Sequence, residues 1–228
     1  GGLLEDQVQL GLALIEAYEA TGDPQWLQWS EALLDRTWEL YADGAGGGLF
    51  DTSDDTSATG LLAARVKPVQ DTPTPSPNGV AALAAARLAE LTGAARWRER
   101  RDRQLHAFAA GAPELGIFGA AYLLAASWAL LPASHLVIIE DGDTALANTL
   151  HIAALQSGLP RRVVQRVRTG DDALLPTAMR GMLGATSGTR AYLCVGTSCR
   201  APVQSVEAWR GVLEERAVGA RREARGGR

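Results

Sequence analysis

"EAYEATGDPQWLQWSEALLD", Glu16 to Asp35, has a second copy farther along the chain, "ARLAELTGAARWRERRDRQLH", Ala86 to His106. Thr21-Gly22 aligns with Thr92-Gly93, Trp26 with Trp97 and Leu34 with Leu105, all at one constant offset. Self-similarity at a fixed period marks a repeated supersecondary unit. Each copy reads helix, Thr-Gly break, helix. Gly22 and Gly93 suit the left-handed position that ends a helix. Asp23 suits an N-cap, with Pro24 at the first helical position. The short break predicts an αα-hairpin in each copy, with the Trp packing the second helix back on the first.

The two helices of a hairpin differ in character. The first spans about Leu3 to Ala20 and places Leu4, Val8, Leu12, Ile15 and Tyr18 on one stripe. It also carries Leu10 and Leu14 elsewhere, which predicts burial on most sides. The second, from about Pro24 to Tyr41, carries Glu31, Asp35, Arg36 and Glu39 on a face expected to be wet. Val80 to Leu91 and Ala95 to Ala109 repeat the contrast. A fifth apolar helix, Gly116 to Leu131, has no outer partner. Alternating inner and outer helices predict a partial toroid or solenoid of αα-hairpins over residues 1–131. Between the hairpins, pieces near Leu49 to Thr52 and Leu61 to Lys67 predict a β-hairpin insertion near residues 48–67.

The pattern changes at Pro132. "HLVIIED", "RRVVQRV" and "RAYLCV" read as short strands. Between them "DTALANTLHIAALQSGLP" reads as a helix capped by Asp143, and "DDALLPTAMRGML" as a helix interrupted by Pro176. "SVEAWRGVLEER" closes the region. Strand and helix in alternation predict a small α/β region over 132–215 with a parallel sheet. The Gly- and Arg-rich end, residues 216–228, is expected to be a flexible basic tail.

Composition narrows the function. The formal net charge of -4 over 228 residues argues against electrostatic capture of nucleic acid. The longest apolar run falls short of the ~20 residues of a membrane span, so no membrane partner is expected. Two cysteines are too few for a secreted disulfide framework, which favours a reducing, cytoplasmic setting. The chain opens without Met and enters its first helix at once, as a piece of something longer would.

Four stretches in one order carry a resemblance: "LLEDQVQLGLALIEAYEATGDPQWLQWSEALLD", "GGGLFDT", "RVKPVQDTPTPSPNGVAALAAARLAELTG" and "AYLCVGTSCRAPV". Together they resemble the C-terminal portion of a widespread thioredoxin-domain-containing family, whose animal members are the spermatogenesis-associated thioredoxin-domain proteins. The resemblance implies a missing N-terminal thioredoxin-like domain as a partner, then a toroid of six-hairpin glycosidase type, then a small α/β end. The family's Asp, Thr-Pro, Ser and Asn stand here as Asp71, Thr74-Pro75, Ser76 and Asn78. Pro77 replaces a Gly, and Gln7-Val8 replaces an aromatic residue and Ala.

In toroids of this type the loops opening the inner helices face the substrate. Glu5-Asp6 opens one such helix and Asp71 to Asn78 opens the next. Helix N-termini expose N–H groups and favour anions, and paired carboxylates are the tools of glycoside hydrolysis. Asp6 and Asp71 are therefore the candidate catalytic residues. Glu5, Thr74, Ser76 and Asn78 are the candidate contacts to a sugar or other small molecule. The competing reading of the same residues is structural: first-turn carboxylates, and Ser76 as an N-cap before Pro77.

Asp51, Asp54 and Asp55 lack the Gly and closing Glu of a calcium loop, so no metal and no cofactor are expected. "IIEDGDTAL" lacks a phosphate-binding glycine pattern. Cys194 is expected in the core. Cys199 is a candidate exposed redox residue, and a disulfide between the two is left open. His106, His135 and His151 form no triad with a Ser or Cys. Two function classes follow. One is an enzyme of glycosidase or epimerase sort in carbohydrate metabolism. The other is a non-catalytic scaffold serving the redox domain.

Overall fold

The computed structural model describes residues 2–53, 64–182, 186–196 and 198–226. The chain divides into two compact units. The first comprises Gly1–Tyr18, Asp23–Ala89 and Ala94–Leu131; the second comprises Glu19–Gly22, Glu90–Gly93 and Pro132–Arg228.

The repeat forms its two hairpins. Helices α1 (Leu4–Thr21) and α2 (Pro24–Tyr41) make the first, and α3 (Pro77–Thr92) and α4 (Ala95–Phe108) the second. Gly22 and Gly93 take φ of 73° and 70°, the left-handed conformation that lets each first helix end abruptly. Asp23 caps α2, its side chain accepting from Gln25 N. Ser76 Oγ accepts from Gly79 N at 3.2 Å, and Pro77 then opens α3.

Packing follows residue size. Ala81, Ala82, Ala84, Ala85 and Leu88 are fully buried on α3. At Gly11 of α1, an added Cβ would lie 2.6 Å from Leu34 Cδ2, so the missing side chain is what lets α1 approach α2. Ser30 Oγ of α2 donates to Gly11 O at 2.8 Å at the same crossing. The stripe Leu4, Val8, Ile15 and Tyr18 is buried. Leu10, however, is 53% exposed, so α1 is buried along one stripe and not on most sides.

The wet face expected of α2 is partly an interhelical seam. Glu31 pairs with Arg96 and Asp35 with Arg100 of α4. Trp38 and Trp97 meet edge to face at 6.0 Å, and Arg100 lies over both rings. The two repeat tryptophans are not equivalent: Trp97 is fully buried, whereas Trp26 is half-buried against Trp29. Position in the repeat fixed the backbone; the neighbouring helix decided which ring was enclosed.

The fifth helix also differs from expectation. A 3-10 stretch, Ala112–Gly119, precedes α5 (Ala120–Leu130), and Gly116 breaks it with φ 55° and ψ -128°. Residues 112–130 are long and apolar enough to pass for a membrane span by composition. Past the break, the 11 residues of α5 rise only about 16 Å, about half a hydrocarbon core. In the 48–67 region no strand forms among the described residues. Leu49 makes an isolated bridge with Ala42, and Asp51 N donates to Val66 O at 2.8 Å. The part of that insertion over 54–63, with Asp54 and Asp55, lies outside the described residues.

The second unit holds strands β1 (Ser134–Glu140), β2 (Arg162–Arg168), β3 (Arg190–Val195) and β4 (Ser198–Cys199) in the order β2-β1-β3-β4. Only β1 and β2 are parallel, joined through α6 (Thr144–Leu155); β3 is antiparallel to β1 and β4 to β3. The parallel sheet expected from the sequence is thus a mixed one. The cause is local. Pro176 cannot continue a helix, and Asp172–Leu174 and Thr177–Met182 form only 3-10 turns. Without a full crossover helix the chain re-enters the sheet from the end where β2 left it, so β3 runs backwards.

Alternation along β1 sorts the core. Leu136 and Ile138 join Val164, Leu150, Leu193 and Trp209 on one face. Val137 and Ile139 join Val167, Tyr192 and Cys194 on the other. The closing helix α7 (Val206–Gly226) runs ten residues beyond Arg216, where a flexible tail was expected. Arg216 is buried, its Nε donating to Ser134 Oγ at 3.1 Å, and Ala220 is buried a turn later. The segment looks like a tail by its charge and glycines, but two of its three glycines stand at the very end, and the Ala and Arg residues before them are good helix formers.

Candidate functional site

The loop before α3 is built around Asp71. Its Oδ1 accepts from Ser76 N at 2.7 Å and its Oδ2 from Ala121 N at 3.0 Å. Asp71 N in turn donates to Phe118 O at 2.8 Å. One carboxylate therefore engages the N-terminal backbone of both α3 and α5, where helix dipoles favour negative charge. The Thr72-Pro73 peptide in this loop is cis.

Asn78, the second residue of α3, is 1% exposed and engages the loops with its amide. Oδ1 accepts from Leu49 N at 2.8 Å; Nδ2 donates to Leu49 O at 3.0 Å and Pro68 O at 2.7 Å. Gln104 Nε2 also donates to Asn78 Oδ1. Ser76 is buried and caps α3. Asp71, Ser76 and Asn78 thus hold the rim together.

Glu5 and Thr74 are placed differently. Thr74 Oγ1 donates to Glu5 Oε1 at 2.6 Å. Both line a concavity of about 230 Å³ with Asp51, Gln70, Thr72 and Pro77. Leu4 N donates to Asp51 O at 2.9 Å, which ties Asp51 to the start of α1. Asp6 is exposed and does not line this concavity, nor does Asp71. The structure therefore brings Glu5 and Thr74 together and adds Asp51. In the sequence Asp51 stands only among carboxylates without a calcium-loop pattern; its nearness to Glu5 rests on pairing between residues 4 and 51, for which no local signal exists.

A second concavity of about 340 Å³ lies along α2 and α4 and is lined by Trp38, Asp43, Arg96, Arg100 and Arg103. Its arginines are committed to Glu31, Asp35 and the Asp43–Gly44 backbone. Lys67 Nζ sits 2.6 Å from Asp43 Oδ2, and it and the Gly46 and Ala45 N–H groups hold that carboxyl well below the usual range.

In the second unit, Cys194 and Cys199 form a disulfide. His135 stands opposite Cys194 in the β1–β3 register. Its Nε2 lies 3.0 Å from Gln165 Oε1, while Nδ1 is buried with no partner among the described residues. Among the described residues no group of three or more His, Cys, Asp or Glu could hold a metal.

Burial pushes the His135 imidazole down to about 4, against the opposing Gln165 hydrogen bond. An unfolded histidine titrates near ~6.5, so the unfolded chain takes the proton first. Stability is full above that value and falls as pH drops towards the folded pKa, by about 3 kcal/mol. His151 is lowered by burial too and adds in the same direction. Urea unfolding of the second unit across this window is expected to show the loss. His135→Gln should flatten it; an unchanged slope would count against this origin.

No protein-family model matches the chain. Over 107 residues it is 36% identical to spermatogenesis-associated protein 20 of mouse, and equally to that of human and rat. The match takes in 47% of this chain and 13% of each relative, so the chain spans a small part of the curated relatives it matches. At this identity the similarity supports homology with spermatogenesis-associated protein 20 over just under half of the chain.

Proposed function

We propose that the first unit binds a small, hydroxyl-rich, carbohydrate-like metabolite at the concavity holding Glu5, Asp51 and Thr74. The observation that carries this reading is the Thr74–Glu5 hydrogen bond in a concavity that also holds Asp51. Carboxylates accept from the hydroxyls of a polyol, and Thr74 supplies a group that both donates and accepts. At about 230 Å³ the space is below the ~300–1,000 Å³ of drug-sized sites, which suits a single sugar unit. In this reading Asp71 supports the rim, and Asp6, exposed beside Glu5, is the candidate acid or base. The rim would belong to a partial toroid of six-hairpin type in a longer, cytoplasmic protein.

A second reading has its own support. Asp71, Ser76 and Asn78 all spend their polar atoms on backbone groups of their own unit. That favours a non-catalytic scaffold serving a thioredoxin-like domain. Calorimetry with a panel of sugars and sugar phosphates separates the two. Binding to the intact protein that weakens at least about tenfold in Glu5→Gln and in Thr74→Val supports the rim; a tenfold loss is about 1.4 kcal/mol, the worth of one hydrogen bond. No binding at millimolar sugar leaves the scaffold. Asp71→Asn is the wrong probe, since it turns an amide N–H towards a backbone N–H.

A further inference from the structure

We propose that Cys199, Cys194 and His135 form a reversible thiol–disulfide site in the second unit, with Cys199 the exchanging sulfur, Cys194 the resolving one and His135 its proton acceptor. The occupant is a low-molecular-weight disulfide or thiol of the glutathione class.

Three observations converge. First, the two cysteines are directly opposed on β3 and β4 and joined. Cys194 is fully buried in the core face with Val137, Ile139 and Tyr192, whereas Cys199 is exposed on a two-residue edge strand. An outside reagent therefore meets one end of the bond only. Second, the bridge has little to do for the fold. It closes a loop that the β3–β4 pairing, the Arg200 N to Leu193 O bond and the Ala191–Val203 bridge already close. Entropic stabilisation by a disulfide is smallest for so short a loop.

Third, His135 places a proton acceptor beside Cys194. It is 2% exposed and directly opposite Cys194 on the neighbouring strand. Such cross-strand pairs hold their Cβ atoms about 5 Å apart. Gln165 fixes the tautomer. Its Nε2 donates to Leu174 O at 2.8 Å, which turns Oε1 towards His135 Nε2, 3.0 Å away. Nε2 must then carry the hydrogen, and the unpartnered Nδ1 is a bare lone pair. A buried polar atom without a partner is uncommon and calls for a reason. Burial keeps this lone pair unprotonated at neutral pH but also makes it a weak base, so it can hold the Cys194 proton only while the sulfur is attacking.

The steps balance. With both cysteines reduced, the Cys199 thiolate attacks a disulfide RSSR, forming Cys199–S–S–R and releasing RSH once the departing thiolate takes a proton. Cys194–SH then passes its proton to His135 Nδ1 in the course of the bond exchange, not ahead of it. Its sulfur attacks that of Cys199, breaks the bond to R and expels RS⁻, which is protonated at the imidazolium's expense through solvent. One RSSR becomes two RSH and the dithiol becomes the disulfide. Excess thiol runs the sequence in reverse.

The native protein tests this with intact-mass analysis in glutathione buffers. Without denaturant, excess reduced glutathione should open the bond, and an alkylating reagent should then label Cys199 at least about tenfold faster than Cys194. Oxidised glutathione should close it again. Cys194→Ser should accumulate one glutathione on Cys199. Cys199→Ser should leave Cys194 largely unlabelled until urea is added. Closure of the mixed disulfide should slow at least tenfold in His135→Gln, with circular dichroism checking the fold. A bond that yields only after unfolding would make it a structural staple and overturn the site. Equal closure rates in a folded His135→Gln would remove the histidine; labelling of Cys194 first would reverse the assignment.

Discussion

Replacing Asn78 with Ala should lower the stability of the first unit by about 3 kcal/mol, the cost of leaving two buried backbone groups and one half-buried one without partners at roughly 1–3 kcal/mol each. The groups are Leu49 N, Leu49 O and Pro68 O. Asn78 meets Leu49 as a neighbouring strand would, accepting from its N–H and donating to its C=O. The amide does what a β-ladder would have done for that loop, and an apolar residue cannot. Asn78→Asp should be little better, because its second oxygen would face the Leu49 and Pro68 carbonyls that now receive N–H. Thr74→Val, at an exposed hydrogen bond four residues earlier, should change stability by no more than about 0.5 kcal/mol. Urea titration of all three variants checks the order. A loss under about 1 kcal/mol in Asn78→Ala would show that water serves these groups as well as the amide does.

The second large effect is expected at Trp209. It is fully buried and joins Leu136, Ile138, Leu150, Leu193 and Leu213 in one core. Its Nε1 donates to Leu150 O at 3.0 Å, linking α7 to α6. Trp209→Ala should cost about 3–5 kcal/mol, transfer energy plus the cavity left behind. Trp209→Phe keeps most of the volume and should cost well under half of that. With two units, one unfolding transition is not assured. Hydrogen exchange at β1 and β3 amides therefore provides the localised readout. Exchange that quickens in the first unit instead would contradict the placement of this core.

Much of the backbone was readable. Thr-Gly breaks, an Asp-Pro start and a Ser-Pro start are local signals, because capping and left-handed glycine conformations depend on a few consecutive residues. Gly22, Gly93, Asp23 and Ser76 behave accordingly. Strands β1 to β3 were visible as short apolar runs. Misreadings came where the outcome depended on distant partners. Leu10 looked buried by composition and is exposed; Glu31 and Asp35 looked solvated and face Arg96 and Arg100. The direction of β3 was decided by what Pro176 allowed the connection to become, and the helical tail by Arg216 reaching Ser134.

The candidate sites divide the same way. Sequence alone determined which loops open α1 and α3 and which residues there carry polar groups, since both follow from order along the chain. Only the tertiary structure decided their partners. It turned Asp71 and Asn78 towards backbone groups, set Glu5 beside Thr74 across 69 positions, and placed His135 opposite Cys194. The physical reason is that a helix cap is satisfied within one turn, whereas a buried side chain pairs with whatever the fold brings to it.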